Sequence, residues 1–491
     1  MKYLISYGPA GLGVLGAIVS MALDAFGLRR SAIWAAAVGL LAGGGLAIWA
    51  LSYREVILES VIGGPLASMP PAACLLLGAV ALAGGSGLLG SEPGGARVAA
   101  LGALASSAAA IAAASFDLMI LFIAIETLAL CGYGLVALAG TDEAREAAMK
   151  WFVQGSVATA LLIGGLAVLL GITGGSLFYV DILAASEKTG ASAALAVGLT
   201  LVVSGIAFKA AAFPFHSWAP DAYQHAGPVS AALLSSSAKV GALAAAGWLA
   251  VIATGSAPAA LSQWAFAAIA VGSIVFGNLA ALRQRSFARM LAYSGVAQVG
   301  YAFAVMATRD DSITTVGKGL RAIPVLGENM LAAVMVFAVL YGLSALAAFM
   351  FAAAIRESDP AWDGSISALA GLSSRRPALA ISLAVVMFAL TGMPLTAGFW
   401  GKFLVFGTAA AGGWAWLAIV GVLGSVVSFG YYGSVLRAAF FDDSAEPVSG
   451  MTPGGPAAKT TVALAVLIVV VGILPLAVGV TPLLAGMLGG Q

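Results

Sequence analysis

Read for hydrophobic and polar positions, the chain is a succession of long apolar runs separated by short polar stretches. A helix needs roughly 20 mostly apolar residues to span a bilayer. Fourteen stretches fit that description: 5–26, 31–51, 71–90, 97–115, 118–139, 150–172, 191–216, 227–253, 258–280, 289–307, 330–354, 378–409, 413–438 and 458–484. The runs are too long, and alternate too little, for a closed transmembrane barrel. The pattern predicts an all-α polytopic membrane protein with about 14 transmembrane helices. Pro214 interrupts the seventh run and Pro394 the twelfth. Proline within a helix removes a hydrogen bond and bends or breaks it, and broken spans are tolerated where they line a cavity.

The broken seventh and twelfth runs point in opposite directions, and each carries a lysine late in its course. Two inverted repeats would give this arrangement. The expected organisation is N-terminal helices over 1–115, repeats over 116–255 and 256–440, and a last helix in 441–491. The segments "FKAAAFPFHSW" and "PLTAGFWGKFLVF" are the local likeness behind this division.

Composition narrows the class. Of 491 residues, 61% are hydrophobic and only 9% charged, where a soluble protein has about 25% charged residues. In water this chain would leave most of its apolar surface exposed. A net charge of +1 offers no face for nucleic acid. Cys74 and Cys131 each lie in an apolar run, as buried residues do, and suggest neither a disulfide framework nor a metal site. The N-terminal run is followed by no small-residue cleavage pattern, which predicts a retained first helix.

Charge also orients the chain. If loops alternate between the side of the N-terminus and the opposite side, 13 of the 22 Lys and Arg residues fall on the opposite side and 6 on the first. The positive-inside rule makes the richer side cytoplasmic. Both termini then face outward, toward the periplasm of a bacterial or archaeal-type inner membrane. The three remaining basic residues, Lys209, Lys239 and Lys402, lie inside spans, and so does Glu126.

A charge near the bilayer centre costs about 3 kcal/mol on insertion scales, and such residues often mark proton or ion paths. The plain alternative is a long lysine snorkelling to the interface. Lys239 lies about 12 residues into its helix, roughly 15 Å or more from the end, too deep for that. Burial disfavours the charged form of lysine and glutamate alike, and a nearby opposite charge counters this. A pair of Glu126 with Lys209 would therefore be a tunable proton store. Ser235, Ser236 and Ser237 precede Lys239 and would either hold water beside it or simply pack.

His216 and His225 sit where the seventh run turns, at the expected cytoplasmic end. Histidine titrates near neutral pH. His216 is a candidate proton relay or a brace for the turn, and His225 reads as solvated. A triad of His216, Asp221 and Ser230 lacks the G-x-S-x-G elbow of a hydrolase. "GLGVLG" at 11–16 matches a dinucleotide fingerprint only by composition, since it lies in an apolar span with no strand before it. No motif for a metal, flavin, nucleotide or iron–sulfur cluster is present, so the sequence predicts no cofactor and no metal in this chain.

Five segments together carry a resemblance: "DLMILFIAIETLALCGYGLVAL", "REAAMKWFVQGSVATALLIGG", "FKAAAFPFHSWAPDAYQHAGPVSAALLSSSAK", "GNLAALRQRSFARMLAYSGVAQVGY" and "TGMPLTAGFWGKF". In this order they resemble the fifth to eighth, ninth-to-tenth and twelfth helices of the antiporter-like membrane subunits of respiratory complex I, in particular the N-type. The likeness covers roughly 115–410. It implies a proton-translocating subunit of an NADH (or related donor):quinone oxidoreductase, working through Glu126, Lys209, Lys239 and Lys402. NADH, FMN, iron–sulfur clusters and quinone would belong to partner subunits, and the partners would be other antiporter-like and small membrane subunits. The D-type subunit of multisubunit sodium/proton antiporters also carries a lysine in its twelfth helix and remains the alternative. A stand-alone transporter of a small solute would need a polar and aromatic pocket at the midplane, where this chain offers lysines and serines.

Overall fold

The computed structural model describes residues 7–50, 57–58, 61–62, 65–190, 192–256, 259–309, 313–316, 323–326, 328–442 and 454–478. The ends of the spans expected from residue 5 and to residue 484 lie outside these residues, as do Lys2, Arg54, Lys318 and Arg321 from the charge count.

The described chain is almost entirely helical. It begins with α1 (Gly8–Ala25) and α2 (Arg29–Ala50), a hairpin of β1 (Ile57–Leu58) and β2 (Val61–Ile62), then α3 (Pro65–Gly84), α4 (Ser86–Ser91) and α5 (Gly95–Ala114). There follow α6 (Leu118–Ala137), α7 (Asp142–Thr173), α8 (Tyr179–Thr189), α9 (Ala193–Ala210), α10 (Trp218–His225), α11 (Pro228–Ser235) and α12 (Ser237–Gly255). The last part holds α13 (Ala259–Ala281), α14 (Phe287–Met306), a hairpin of β3 (Ile313–Val316) and β4 (Ile323–Leu326), and α15 (Glu328–Ser358). It closes with α16 (Leu372–Arg375), α17 (Pro377–Thr391), α18 (Ala397–Ala409), α19 (Ala415–Phe440) and α20 (Pro456–Val478). The antiparallel β3–β4 hairpin, with Ile313 opposite Leu326, occupies part of the long 308–329 loop.

Among the described residues, 11 helices are long and apolar enough to cross a membrane. The expected count of 14 is not reached on that measure. Part of the reason is physical: the twelfth run breaks into α17 and α18, while α18 passes through a π-helical turn at Ala410–Trp414 into α19. The structure also adds α8, whose sequence "YVDILAASEKT" is short and polar enough to read as a loop.

Helix ends follow local chemistry. The Asp117 carboxylate caps α6 by accepting from the amides of Met119 (2.7 Å) and Ile120 (3.0 Å), satisfying two N–H groups with no partner in the helix. Thr141 does the same for α7, accepting from Ala144 N at 3.1 Å, and that helix stops at Gly174 with φ 74°.

Close packing rests on small residues. A Cβ on Gly39 of α2 would stand 2.6 Å from the Cα of Gly16 in α1, so the two backbones touch there. Such approaches drive helix association in lipid, where burial of apolar surface supplies little. Outer helices turn Ile123, Val157, Ile419 and Val426 outward, each more than half exposed. By contrast α12 is buried on all sides from Ser237 to Thr254, as expected of a helix without a polar face. Lys239 sits in the first turn of this most enclosed helix.

Candidate functional site: buried lysines at two broken helices

The first break follows α9. Ala211 adopts φ 61°, left-handed backbone that costs a non-glycine residue of order 1 kcal/mol. The chain then runs through Phe213 and Pro214, joined by a cis peptide, and resumes as α10. Lys209 lies in the last turn of α9, near the negative end of its dipole. Its Nζ is 3.0 Å from Glu126 Oε1 on α6, with the Lys209 side chain 6% and the Glu126 side chain 22% exposed. The same oxygen accepts from Thr159 Oγ1 of α7 at 2.9 Å. The structure thus joins Glu126 and Lys209 in one largely enclosed ion pair.

Lys239 stands beyond this pair. A cavity of about 30 Å3 is lined by both Lys209 and Lys239, together with Trp151, Trp218 and Tyr223. This is room for a water or two, since one needs roughly 10–15 Å3. Lys239 is 3% exposed, and its Nζ has no hydrogen-bond partner among the described residues. The Tyr223 ring lies 5.8 Å away. The serines before it are not simply a water shelf. Ser235 and Ser236 hydroxyls donate back to Ala232 O at 3.3 and 2.5 Å, and Ser236 breaks the helix between α11 and α12. Of these three serines, Ser237 has a hydroxyl with no partner among the described residues.

The second break, between α17 and α18, holds Gly392 at φ 90° and Leu395 at φ 71°. Lys402 projects from α18 back to the end of α17, donating to Thr391 O (2.8 Å) and Ser425 Oγ of α19 (3.0 Å). Thr391 ends α17, so its carbonyl lacks a partner in the helix and carries the negative end of the dipole. The Tyr301 ring lies 4.8 Å from the ammonium. A Cβ on Gly392 would come within 2.7 Å of Lys402 Cδ, so only glycine serves both the turn and the passage of this side chain. Lys402 is 6% exposed, and no acidic side chain pairs with it among the described residues.

His216 lies in the turn of the first break and is buried, 8% exposed. Its ring contacts are Phe213, Phe276 and Tyr293, at 5.6, 4.6 and 6.5 Å. It does not line the cavity shared by Lys209 and Lys239. His225 ends α10, half-buried. Asp221, dismissed as a triad member, holds two parts of the chain together: it accepts from Arg289 of α14 at 2.5 Å.

Sequence reasoning missed Thr159, Ser425, Tyr301 and the Thr391 carbonyl. Nothing in their local sequence marks them, because each acquires its role from a residue distant in the chain. Among the described residues, no group of three or more His, Cys, Asp or Glu is arranged to hold a metal ion.

Two broken helices with buried lysines, and a carboxylate paired to one of them, define an antiporter-like membrane subunit. The family model described as NADH:quinone oxidoreductase/Mrp antiporter, TM matches residues 115–428. NADH-quinone oxidoreductase subunit N of Sphingopyxis alaskensis is 33% identical over 365 residues, covering 74% of this chain and 72% of that protein. A chain of respiratory complex I from Thermus thermophilus superposes with a TM-score of 0.77 at 27% identity, covering 96% of this chain and 98% of that one. A chain of the Mrp complex from Dietzia sp. DQ12-45-1b shares the fold, with a TM-score of 0.77 at 20% identity and coverage of 96% and 95%. The chain belongs to the NADH:quinone oxidoreductase/Mrp antiporter membrane family, as an antiporter-like complex I subunit of the N type.

Proposed function

We propose that this chain is a proton-translocating membrane subunit of a complex I-type NADH (or related donor):quinone oxidoreductase, and that Glu126, Lys209, Lys239 and Lys402 carry the protons. The observation that carries the reading is the enclosed series itself: an ion pair at the first break, a water-sized cavity leading to Lys239, and a third lysine at the second break. Protons enter from the cytoplasm toward Lys209 and Lys239, cross the midplane, and leave outward past Lys402. Residues 116–255 and 256–440 form the two inverted repeats, and both termini face the periplasm. His216, walled by aromatic rings, serves as a brace rather than a relay.

Redox chemistry, with FMN, iron–sulfur clusters and quinone, belongs to partner subunits. The chain's two cysteines are buried on different helices, α3 and α6, and offer no cluster-binding set. In this reading the chain is one part of a translocase whose electron transfer lies elsewhere. The curated relative at 33% identity is a complex I subunit, whereas the Mrp likeness at 20% carries the fold alone, which favours the redox-driven reading over a sodium/proton antiporter subunit.

The test is the proton-to-electron ratio of the complex in sealed vesicles. Lys239→Ala and Lys402→Ala are each expected to abolish most pumping while the complex still assembles. Wild-type ratios in both would sink the assignment. Copurification in mild detergent should bring down quinone-reductase subunits; antiporter subunits instead would favour the alternative.

A further inference from the structure

Away from the lysines, a recess of about 340 Å3 opens where α2 begins, beside α4 and the first residue of α20. The cavity shared by Lys209 and Lys239 holds about 30 Å3. Pockets that take small molecules start at roughly 300 Å3, so the recess has room for a chemical group and not merely for a water or two. Arg30 and Trp34 of α2 line it, together with Ser86, Gly90 and Ser91 of α4. No residue assigned to the proton path does, so a site here stands or falls apart from that reading.

Its chemistry favours an anion. Arg30 is exposed and has neither a hydrogen bond nor an ion pair among the described residues. A guanidinium presents a planar fork of N–H groups that matches a phosphate. The Ser86 hydroxyl, also without a partner among the described residues, adds a donor. The Ser91 hydroxyl is already committed, donating to Leu88 O at 2.8 Å. One carboxylate is close: a Cβ on Gly87 would run into Glu357 Oε1 of α15. That carboxylate accepts from Ala457 N at 3.2 Å and does not line the recess. The charge that the recess presents is therefore positive.

The helix below Arg30 says which anion. Trp34, Val38, Leu41 and Ile48 follow it at helical spacing along one face of α2, each roughly half exposed. Trp34 belongs to both the recess and this stripe. An indole near the end of a span suits the boundary between headgroups and hydrocarbon. A free phosphate would use the recess and leave the stripe bare, whereas a phospholipid uses both. Basic pockets between transmembrane helices hold lipid headgroups in this way. We propose that Arg30, Ser86 and Trp34 form a site for one anionic phospholipid, with its phosphate on Arg30 and an acyl chain along α2.

The test uses the whole complex in phosphatidylcholine vesicles holding a trace of phosphatidylglycerol with a photoreactive group in its acyl chain. The readout is the crosslinking yield on the peptide that spans Trp34 to Ile48, with copurification as a check on assembly. The same reagent built on phosphatidylcholine should label that peptide several-fold less. Arg30→Gln is expected to lower the phosphatidylglycerol yield about fivefold. Gly90→Phe tests the space itself. A Cβ at Gly90 meets nothing within 4 Å, so the ring enters the recess without displacing a neighbour, and the yield should fall as far. It carries the test should Arg30→Gln assemble poorly. Arg29→Gln, next in sequence but outside the recess, should stay within about twofold of wild type. Inorganic phosphate in the buffer should leave the yield unchanged. Equal labelling by the two reagents, or no labelling of this peptide, would overturn the proposal. So would a wild-type yield in both Arg30→Gln and Gly90→Phe. A fall in Arg29→Gln as deep as in Arg30→Gln would replace the site by diffuse surface charge, and displacement by inorganic phosphate would make the recess a site for the free anion; either result sinks the lipid.

Discussion

The two broken helices hold their lysines in the same kind of place and by different means. Lys209 lies in the last turn of α9, and Lys402 reaches back to the last carbonyl of α17, so each ammonium sits at the C-terminal end of a half-helix. Each break contains a non-glycine residue in left-handed backbone, Ala211 in one and Leu395 in the other. The partners differ. Lys209 faces a carboxylate, Glu126, at 3.0 Å. Lys402 has a backbone carbonyl, a serine hydroxyl and an aromatic face. The first site can hold a cation against a fixed countercharge. The second holds one with dipoles alone, so a proton leaving Lys402 leaves no bare carboxylate behind. That asymmetry suits storage at one end of a path and release at the other.

The strongest way to break the comparison is to remove the countercharge. Glu126→Gln keeps the shape and loses the charge, leaving the Lys209 ammonium buried without its partner. Stranding one member of a buried pair typically costs about 3–5 kcal/mol. Proton translocation is expected to fall tenfold or more, comparable to loss of Lys239. Unchanged rates would reduce Glu126 to a packing residue.

The next way is to make the second site resemble the first. Ser425→Asp would place a carboxylate where a hydroxyl now stands 3.0 Å from Lys402 Nζ. If release depends on the absence of a countercharge there, pumping should fall about tenfold in a complex that still assembles. A rate at or above wild type would show that the asymmetry of partners does no work. Ser425→Ala is gentler. A hydrogen bond to a charged group contributes about 1.5–3 kcal/mol, and tenfold in rate is about 1.4 kcal/mol. Thr391 O still holds the ammonium, so a three- to tenfold fall is expected, read as the initial rate in vesicles.

Much of this was legible in the sequence because charge is so rare in it. Lys209, Lys239, Lys402 and Glu126 stand out as ionisable residues in apolar runs, and Pro214 and Pro394 mark both breaks to within a few residues. What could not be read there are partners created by the fold. Thr391 O is an ordinary carbonyl until the helix stops beside it. The sequence left the serines before Lys239 open between holding water and packing. In the structure Ser236 bonds back to the carbonyl four residues earlier, as helical serines commonly do, and marks a kink. His216 was read from its sequence neighbours, whereas Phe276 and Tyr293, which help enclose it, come from α13 and α14.

The smallest effect belongs to the hydroxyl at the first site. Thr159 donates to the same Glu126 oxygen that faces Lys209. Thr159→Val removes this bond at nearly constant volume, although the exchange of a hydroxyl for a methyl is not neutral for a buried carboxylate. The ion pair survives, so the carboxylate keeps its main partner. Pumping should fall by no more than about twofold, clearly less than for Ser425→Ala measured in parallel. The ordering matters more than either figure. A neutral hydroxyl is one of two hydrogen-bond acceptors for the cation at the second site, and only an accessory to an ion pair at the first. If Thr159→Val proved the more damaging, the carboxylate at the first site would depend on its hydroxyl more than on Lys209. The contrast between a charge-held and a dipole-held lysine would then fail.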